Sequence, residues 1–232
     1  MKLLRDKELE KSSVAANCLM NRERKAFGDN SYQKEIHINP VTFLKNRAEK
    51  EDKVRWLDIC CGRGRALIQV AEDFRKKHAG QKFSFTGIDL AGHFDPVPKE
   101  ITNLKLIESS LANFDTEFSF DLITCVHGMH YVGDKLDAIT KYVKYLKTDG
   151  LFLCNIDTND MFDKKGKRLG RKINSILRNQ GLSYDSRKKL LKCRGRNEIF
   201  LPFKYVGAND RYGKNYTGQN TVSSLYKDLR GF

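Results

Sequence analysis

The sequence has one tryptophan, four prolines and six cysteines in 232 residues, and none of the cysteines stands in a C-x-x-C pair. With no histidine or further cysteine at ligand spacing around Cys60-Cys61, no metal site is expected. Cys18, Cys60, Cys61, Cys125, Cys154 and Cys193 fall mostly in apolar surroundings and read as reduced core thiols. The opening MKLLRDKELEK is charged throughout and lacks the apolar centre of a signal peptide. No apolar run approaches membrane-spanning length. These absences predict a cytoplasmic protein without a membrane segment. Internal repeats and low-complexity stretches are also missing.

Acidic residues are in deficit, 29 against 43 basic ones, and the imbalance is local. Between Asp163 and Arg196 stand thirteen Lys or Arg against two Asp, most of the formal charge of +14. The segment suits either an anionic partner such as RNA or a solvated basic surface, and the lack of interleaved aromatics favours the second. With 40% hydrophobic residues the chain can bury a full core, as one domain with an added segment or two.

The chain is organised around Val54 to Leu67, VRWLDICCGRGRAL. An apolar run ending in an acid predicts a buried parallel strand over Val54 to Ile59. Gly62-Arg63-Gly64 predicts a turn that lets backbone amides approach a ligand, and Ala66, Leu67, Val70, Ala71 and Phe74 repeat at helical spacing. A dinucleotide fingerprint needs a small third residue where Leu67 stands, which argues against a nicotinamide oxidoreductase. The alternative pattern, an acid followed by x-G-x-G-x-G, runs through Asp58, Cys60, Gly62 and Gly64, with only its first glycine changed. On these residues the chain resembles class I S-adenosylmethionine-dependent methyltransferases.

Further motifs extend the resemblance over roughly residues 50 to 160. Lys82 to Leu90 predicts a second strand ending at Asp89, 25 residues past Gly64, where nucleotide-binding folds place a ribose-binding acid. Leu104 to Ile107 predicts a third strand. Ser110 then stands where the family has an acid for the adenine amino group, and its hydroxyl can still bond the adenine edge. Phe120 to Val126 predicts a fourth strand running into His127-Gly128-Met129-His130-Tyr131, similar to the family's fourth motif. Asp134 is expected to cap a helix, and Leu151 to Ile156, after a Thr148-Asp149-Gly150 turn, reads as a fifth strand. The resemblance implies a cofactor set of Asp58, Cys60, Gly62, Gly64, Asp89, Leu90, Ser110, Leu111, Val126 and His127. His127 and His130 are the candidate catalytic bases, the plain alternative for each being a packed histidine bonded to a backbone carbonyl.

The expected architecture is α/β and doubly wound. It has a mostly parallel seven-stranded sheet, helices on both faces and an antiparallel C-terminal edge strand. Residues 1–50 are expected as a helical cap, with Arg22, Arg24, Asn30 and Tyr32 able to close over a ligand. Residues 51–206 form the cofactor domain, including an amphipathic helix over Lys167 to Gln180 and a hairpin of Leu190 to Cys193 with Glu198 to Val206. Residues 207–232, rich in Gly, Asn and Tyr, read as a loop tail in which Asp210, Tyr212, Asn215 and Tyr216 offer a binding surface. The implied function is methyl transfer from S-adenosylmethionine to a small-molecule acceptor. An RNA acceptor held by the basic segment, and a cofactor-binding module without methyl transfer, are the alternatives.

Overall fold

The computed structural model describes residues 3–16, 23–76, 82–216 and 218–230. Its main sheet is built as the alternation of apolar runs and amphipathic segments requires. Strands β1 (Val54–Ile59), β2 (Phe83–Asp89), β3 (Leu104–Glu108), β4 (Phe120–Cys125) and β5 (Leu146–Asn155) run parallel. A hairpin of β7 (Ser183–Asp185) and β8 (Leu190–Arg194) closes one edge antiparallel to β5, giving the order β3-β2-β1-β4-β5-β8-β7. This is the expected seven-stranded doubly wound sheet with an antiparallel edge.

Alternation along each strand divides the core into two layers. Leu57, Ile59, Ile123, Phe152 and Cys154 face α6 (Lys135–Lys144) and α7 (Gly170–Asn179). Trp56, Phe85, Leu122 and Leu153 face α3 (Tyr32–Ile36), α4 (Pro40–Ala48) and α5 (Arg65–Lys76). Pro40 opens α4 behind Asn39, whose side chain accepts from the Thr42 amide at 3.2 Å. Leu67 enters the core fully, because Gly87 on β2 leaves the space: a Cβ there would lie 2.7 Å from Leu67 Cδ1.

Two expectations at the C-terminal end are corrected. Residues 198–202 form no strand, because Phe200 bonds through its N–H and carbonyl to the Gln180 side chain, at 2.6 and 2.7 Å, rather than to a neighbouring strand. The partner of β8 is therefore β7. Nor is 207–232 a loop: β9 (Phe203–Lys214) and β10 (Asn220–Asp228) pair antiparallel, with β6 (Met161–Phe162) parallel to β10, as a second sheet of three strands. Its alternation was masked by two register shifts between β9 and β10, at Thr221/Ser223 and Leu225/Tyr226. The fifth strand also starts earlier than expected, at Leu146, with residues 148–150 inside it.

The N-terminal segment is divided between these bodies. Helices α3 and α4 belong to the main core. The short helices α1 (Asp6–Leu9) and α2 (Ser13–Ala16) lie with the second sheet instead: Leu4 and Ala208 exchange backbone hydrogen bonds at 2.8 and 2.9 Å, and Leu9 packs with Ala208 and Val222. The first residues and the C-terminal hairpin thus make one roof over the carboxyl ends of the parallel strands. Cys18 and Arg22 lie outside the described residues.

Candidate cofactor and acceptor site

The carboxyl edge of the sheet, where strand order reverses between β1 and β4, is where a doubly wound fold binds ligands. A cleft opens there. Its floor is Cys60 and Gly62 after β1, Asp89 and Leu90 at the end of β2, Ser110 and Leu111 after β3, and Val126 and His127 after β4. Eight of the expected cofactor residues therefore meet at one surface. Asp58, Gly64 and His130 do not line it.

Asp89 is held by two backbone amides at the end of β2. Gly62 donates its N–H to Oδ2 at 2.9 Å and Ala91 donates to Oδ1 at 3.0 Å. Each oxygen keeps a free lone pair, which suits a pair of neighbouring hydroxyls such as those of a ribose. The turn beside it explains the altered glycine. Cys60 sits at φ 55°, the left-handed region glycine prefers, which a cysteine occupies at about 1 kcal/mol or more. Gly128 compensates in space, since a Cβ there would lie 2.1 Å from Cys60 Cβ. Gly62, at φ 60°, keeps the turn open to a ligand.

Two expected ligands act from beneath instead. Asp58 is fully buried and accepts from Tyr32 Oη at 2.7 Å and Thr124 Oγ1 at 2.6 Å, while Trp56 donates to Thr124 at 2.8 Å. Burial pushes its carboxyl up to about 7, against the two hydrogen bonds that lower it. Asp58 thus holds strands β1 and β4 and the cap together below the turn. Tyr32, expected to close over a ligand, is its buried partner. Gly64, at φ 76°, turns its Cα toward Leu106, whose Cδ1 a Cβ would meet at 2.9 Å, so this glycine is needed for packing. Of the other expected cap residues, Arg24 pairs with Glu35 at 3.1 Å and Asn30 is exposed away from the cleft.

The roof holds what sequence reasoning missed. Asp6, Leu9, Glu10 and Ala15 of the N-terminal segment line the cleft, with Tyr131, Asp134 and Lys141 on the far wall. Glu10 is raised from its ordinary value by burial, against the lowering effect of the neighbouring Ser110 hydroxyl. The charged heptad-free start gave no sign of this beyond the Leu3-Leu4 and Leu9 spacing. Asp134 caps α6 as expected, accepting from the Asp137 amide at 3.1 Å.

The two histidines differ. His127, at φ 59°, has Nε2 2.7 Å from Glu35 Oε2 and Nδ1 3.4 Å from Tyr216 Oη. His130 is fully buried, both ring nitrogens lack a hydrogen-bond partner among the described residues, and burial pushes it down to about 3. A base must exchange protons with a ligand, so the cleft-lining His127 is the better placed. Tyr216, in the β9–β10 turn, stacks edge-on to His130 at 5.3 Å.

The doubly wound sheet and the strand-end acid beside a glycine turn define a Rossmann-like fold of class I, S-adenosylmethionine-dependent methyltransferase type. A profile of the family described as Methyltransferase domain matches residues 23–195, and the chain belongs to that family. Demethylmenaquinone methyltransferase of Staphylococcus epidermidis is 32% identical over 104 residues, covering 42% of this chain and 41% of that protein. The Staphylococcus aureus enzyme of the same name is 33% identical over 103 residues, with the same shares covered. The match thus spans about two fifths of the length of these curated relatives. Among solved structures, the N-methyltransferase NodS of Bradyrhizobium japonicum with S-adenosyl-L-homocysteine has a TM-score of 0.42 at 20% identity, covering 79% of this chain and 98% of that one. The 1,6-didemethyltoxoflavin-N1-methyltransferase of Burkholderia thailandensis has a TM-score of 0.42 at 16% identity, covering 72% and 81%. S-adenosylmethionine is the cofactor of this class. Among the described residues no helix is long and apolar enough to cross a membrane, and no cluster of His, Cys, Asp or Glu is set to hold a metal ion.

Proposed function

We propose that this chain transfers a methyl group from S-adenosylmethionine to a small-molecule acceptor bound beside His127. The observation that carries the reading is the Asp89 carboxylate, fixed by the Gly62 and Ala91 amides with a lone pair free on each oxygen, on the floor of a cleft roofed by the N-terminal segment. Asp89 would hold the ribose, Ser110 and Leu111 the adenine, and Cys60 and Gly62 the amino-acid end. Bound there, S-adenosylmethionine supplies a methyl group already activated by its sulfonium. The protein aligns the acceptor and takes up its proton.

A small acceptor is supported by the lining of the cleft, where Asp6, Leu9, Glu10 and Ala15 of the N-terminal segment stand with Cys60, Asp89 and His127 around one pocket. The basic segment is partly consumed within the fold: Lys189 pairs with Asp157 at 3.1 Å, and Lys172 pairs with Asp228. Free thiols at Cys60, Cys61, Cys125, Cys154 and Cys193 support a cytoplasmic setting. Calorimetry with S-adenosylmethionine and NAD tests the cofactor. Binding of the first alone is expected, and a preference for NAD would overturn the reading. Incubation with a metabolite extract, followed by mass spectrometry, should then reveal the product one CH2 heavier than the acceptor.

A further inference from the structure

His127 is tied at both ring nitrogens, and the two ties differ in kind. Nε2 lies 2.7 Å from Glu35 on α3, the length of a charge-assisted hydrogen bond, whereas Nδ1 lies 3.4 Å from Tyr216, beyond the usual range. Glu35 is itself held by Arg24, whose Nε and Nη2 each reach Oε1 at 3.1 Å. The hydrogen bond from His127 is the main reason the Glu35 carboxyl is held down to about 2. An ionised carboxylate can only accept, so the neutral ring carries its proton on Nε2 and its lone pair on Nδ1. Tyr216 stands in a turn with 46% of its surface exposed, and so is the replaceable partner. The other titratable ring packed against His127 is His130, at 6.0 Å between centroids, and its burial keeps it neutral.

We propose that Glu35 is a positioning residue for His127, fixing the ring proton on Nε2 so that Nδ1 takes the acceptor's proton at the place the Tyr216 hydroxyl now holds. The inference rests on the methyl-transfer reading of the same cleft and names its substrate class: an acceptor with an N–H or O–H to lose. The acceptor's X–H bond breaks and the proton passes to Nδ1; the electron pair left on X would bond the methyl carbon as that carbon's bond to the cofactor sulfur breaks, the sulfur keeping the bonding pair and leaving as a neutral thioether. The imidazolium formed is neutralised by the adjoining Glu35 carboxylate and later releases its proton to solvent. Arg24 completes the chain by keeping Glu35 aimed at the ring. A carboxylate from the cap thereby sets the protonation of a loop residue that follows β4, a link between segments 92 residues apart.

The test is long-range proton–nitrogen correlation on the full chain labelled with 15N-histidine, at a pH well above the ordinary histidine range, with the His127 signals assigned through His127→Asn. The parent is expected to show the Nε2–H form. Glu35→Gln, whose amide can accept or donate, should shift the tautomer ratio toward Nδ1–H by about tenfold to a hundredfold, the worth of one charge-assisted hydrogen bond. Glu35→Asp should restore the parent form if it keeps the contact, which a purely structural role for residue 35 would not require. Tyr216→Phe should move the Nδ1 resonance and leave the tautomer unchanged. A parent ring protonated on Nδ1, or a ratio unmoved in Glu35→Gln, would overturn the proposal. Calorimetry with S-adenosylhomocysteine on the same samples separates the two readings: a parent that fails to bind it defeats methyl transfer while the tautomer result stands by itself. Loss of binding confined to Glu35→Gln would assign Glu35 to the cofactor and overturn its role at His127.

Discussion

At the amino ends of β1, β4 and β5, Asp121 is fully buried and every oxygen is answered. Arg47 reaches Oδ1 through Nε and Nη2 at 3.1 Å, while Lys147 and the Arg55 amide reach Oδ2 at 2.9 and 2.8 Å. Arg47 also pairs with Asp149, the contact that does most to raise it above its ordinary value. At the carboxyl ends of the same strands, polar groups equally deep are left incomplete. Both nitrogens of His130, Oδ1 of Asn155 and Oδ2 of Asp160 have no hydrogen-bond partner among the described residues. Asp89 keeps lone pairs facing a cleft. The amino-end carboxylate has every bond made and serves the fold, whereas Asp89, held by two backbone amides on the cleft floor, keeps acceptor capacity to spare.

The largest effect that tests this contrast should come from Asp121→Ala. It removes the buried acceptor shared by Arg47, Lys147 and the Arg55 amide, leaving the two cations to Asp149 and Glu51, and is expected to cost about 3 kcal/mol in urea unfolding. Cofactor affinity per folded molecule should not change. If the variant were as stable as the parent, the amino-end network would be ornamental and the contrast would fail.

Asp89→Ala is expected to do the reverse. Calorimetry should show S-adenosylhomocysteine binding weaker by about 2 kcal/mol, the loss of a charged acceptor from two hydroxyls, while stability falls less than in Asp121→Ala, by the loss of the acceptor of the Gly62 and Ala91 amides. Unchanged affinity in the folded variant would remove Asp89 from the site.

The carboxyl end also predicts opposed slopes of stability with pH. Asp58 is raised to about 7, so the folded state binds more protons than the unfolded chain above its ordinary 3.8, and the stability it lends is lost as pH rises toward 7. His130 is lowered to about 3 from 6.5, so the unfolded chain binds more protons in that window, and stability is lost as pH falls through it. Denaturant titrations between pH 4 and 7 should therefore show a steeper gain with pH for Asp58→Asn than for the parent. A parallel pair of curves would mean that Asp58 is ionised when folded.

Smallest of all should be the effect of reversing Arg168, Arg171 and Lys172. These lie in the basic segment on and before α7, and distant exposed charges are screened, so cofactor affinity should stay within about twofold. A filter-binding titration showing tight, salt-steep RNA binding by the parent, lost in this variant, would sharpen the comparison by giving the basic surface a ligand of its own.

The sequence alone determined the parallel core and the floor of the site. Apolar runs ending in Asp58 and Asp89, with Gly62 between them, state strand, turn and strand end through local rules, because a buried parallel strand and a glycine turn each leave a mark on neighbouring residues. It also marked Cys60 as the changed position, and its left-handed φ gives the reason. What it could not state was which partners those residues meet. Asp58 and Gly64 carry the motif yet serve Tyr32, Thr124 and Leu106, and only packing reveals which way each one faces. The β9–β10 hairpin was hidden because its register shifts break the two-residue period. The roof of Asp6 to Ala15, and the joining of Arg24, Glu35, His127 and Tyr216, depend on contacts between segments far apart in the chain, for which local periodicity carries no signal.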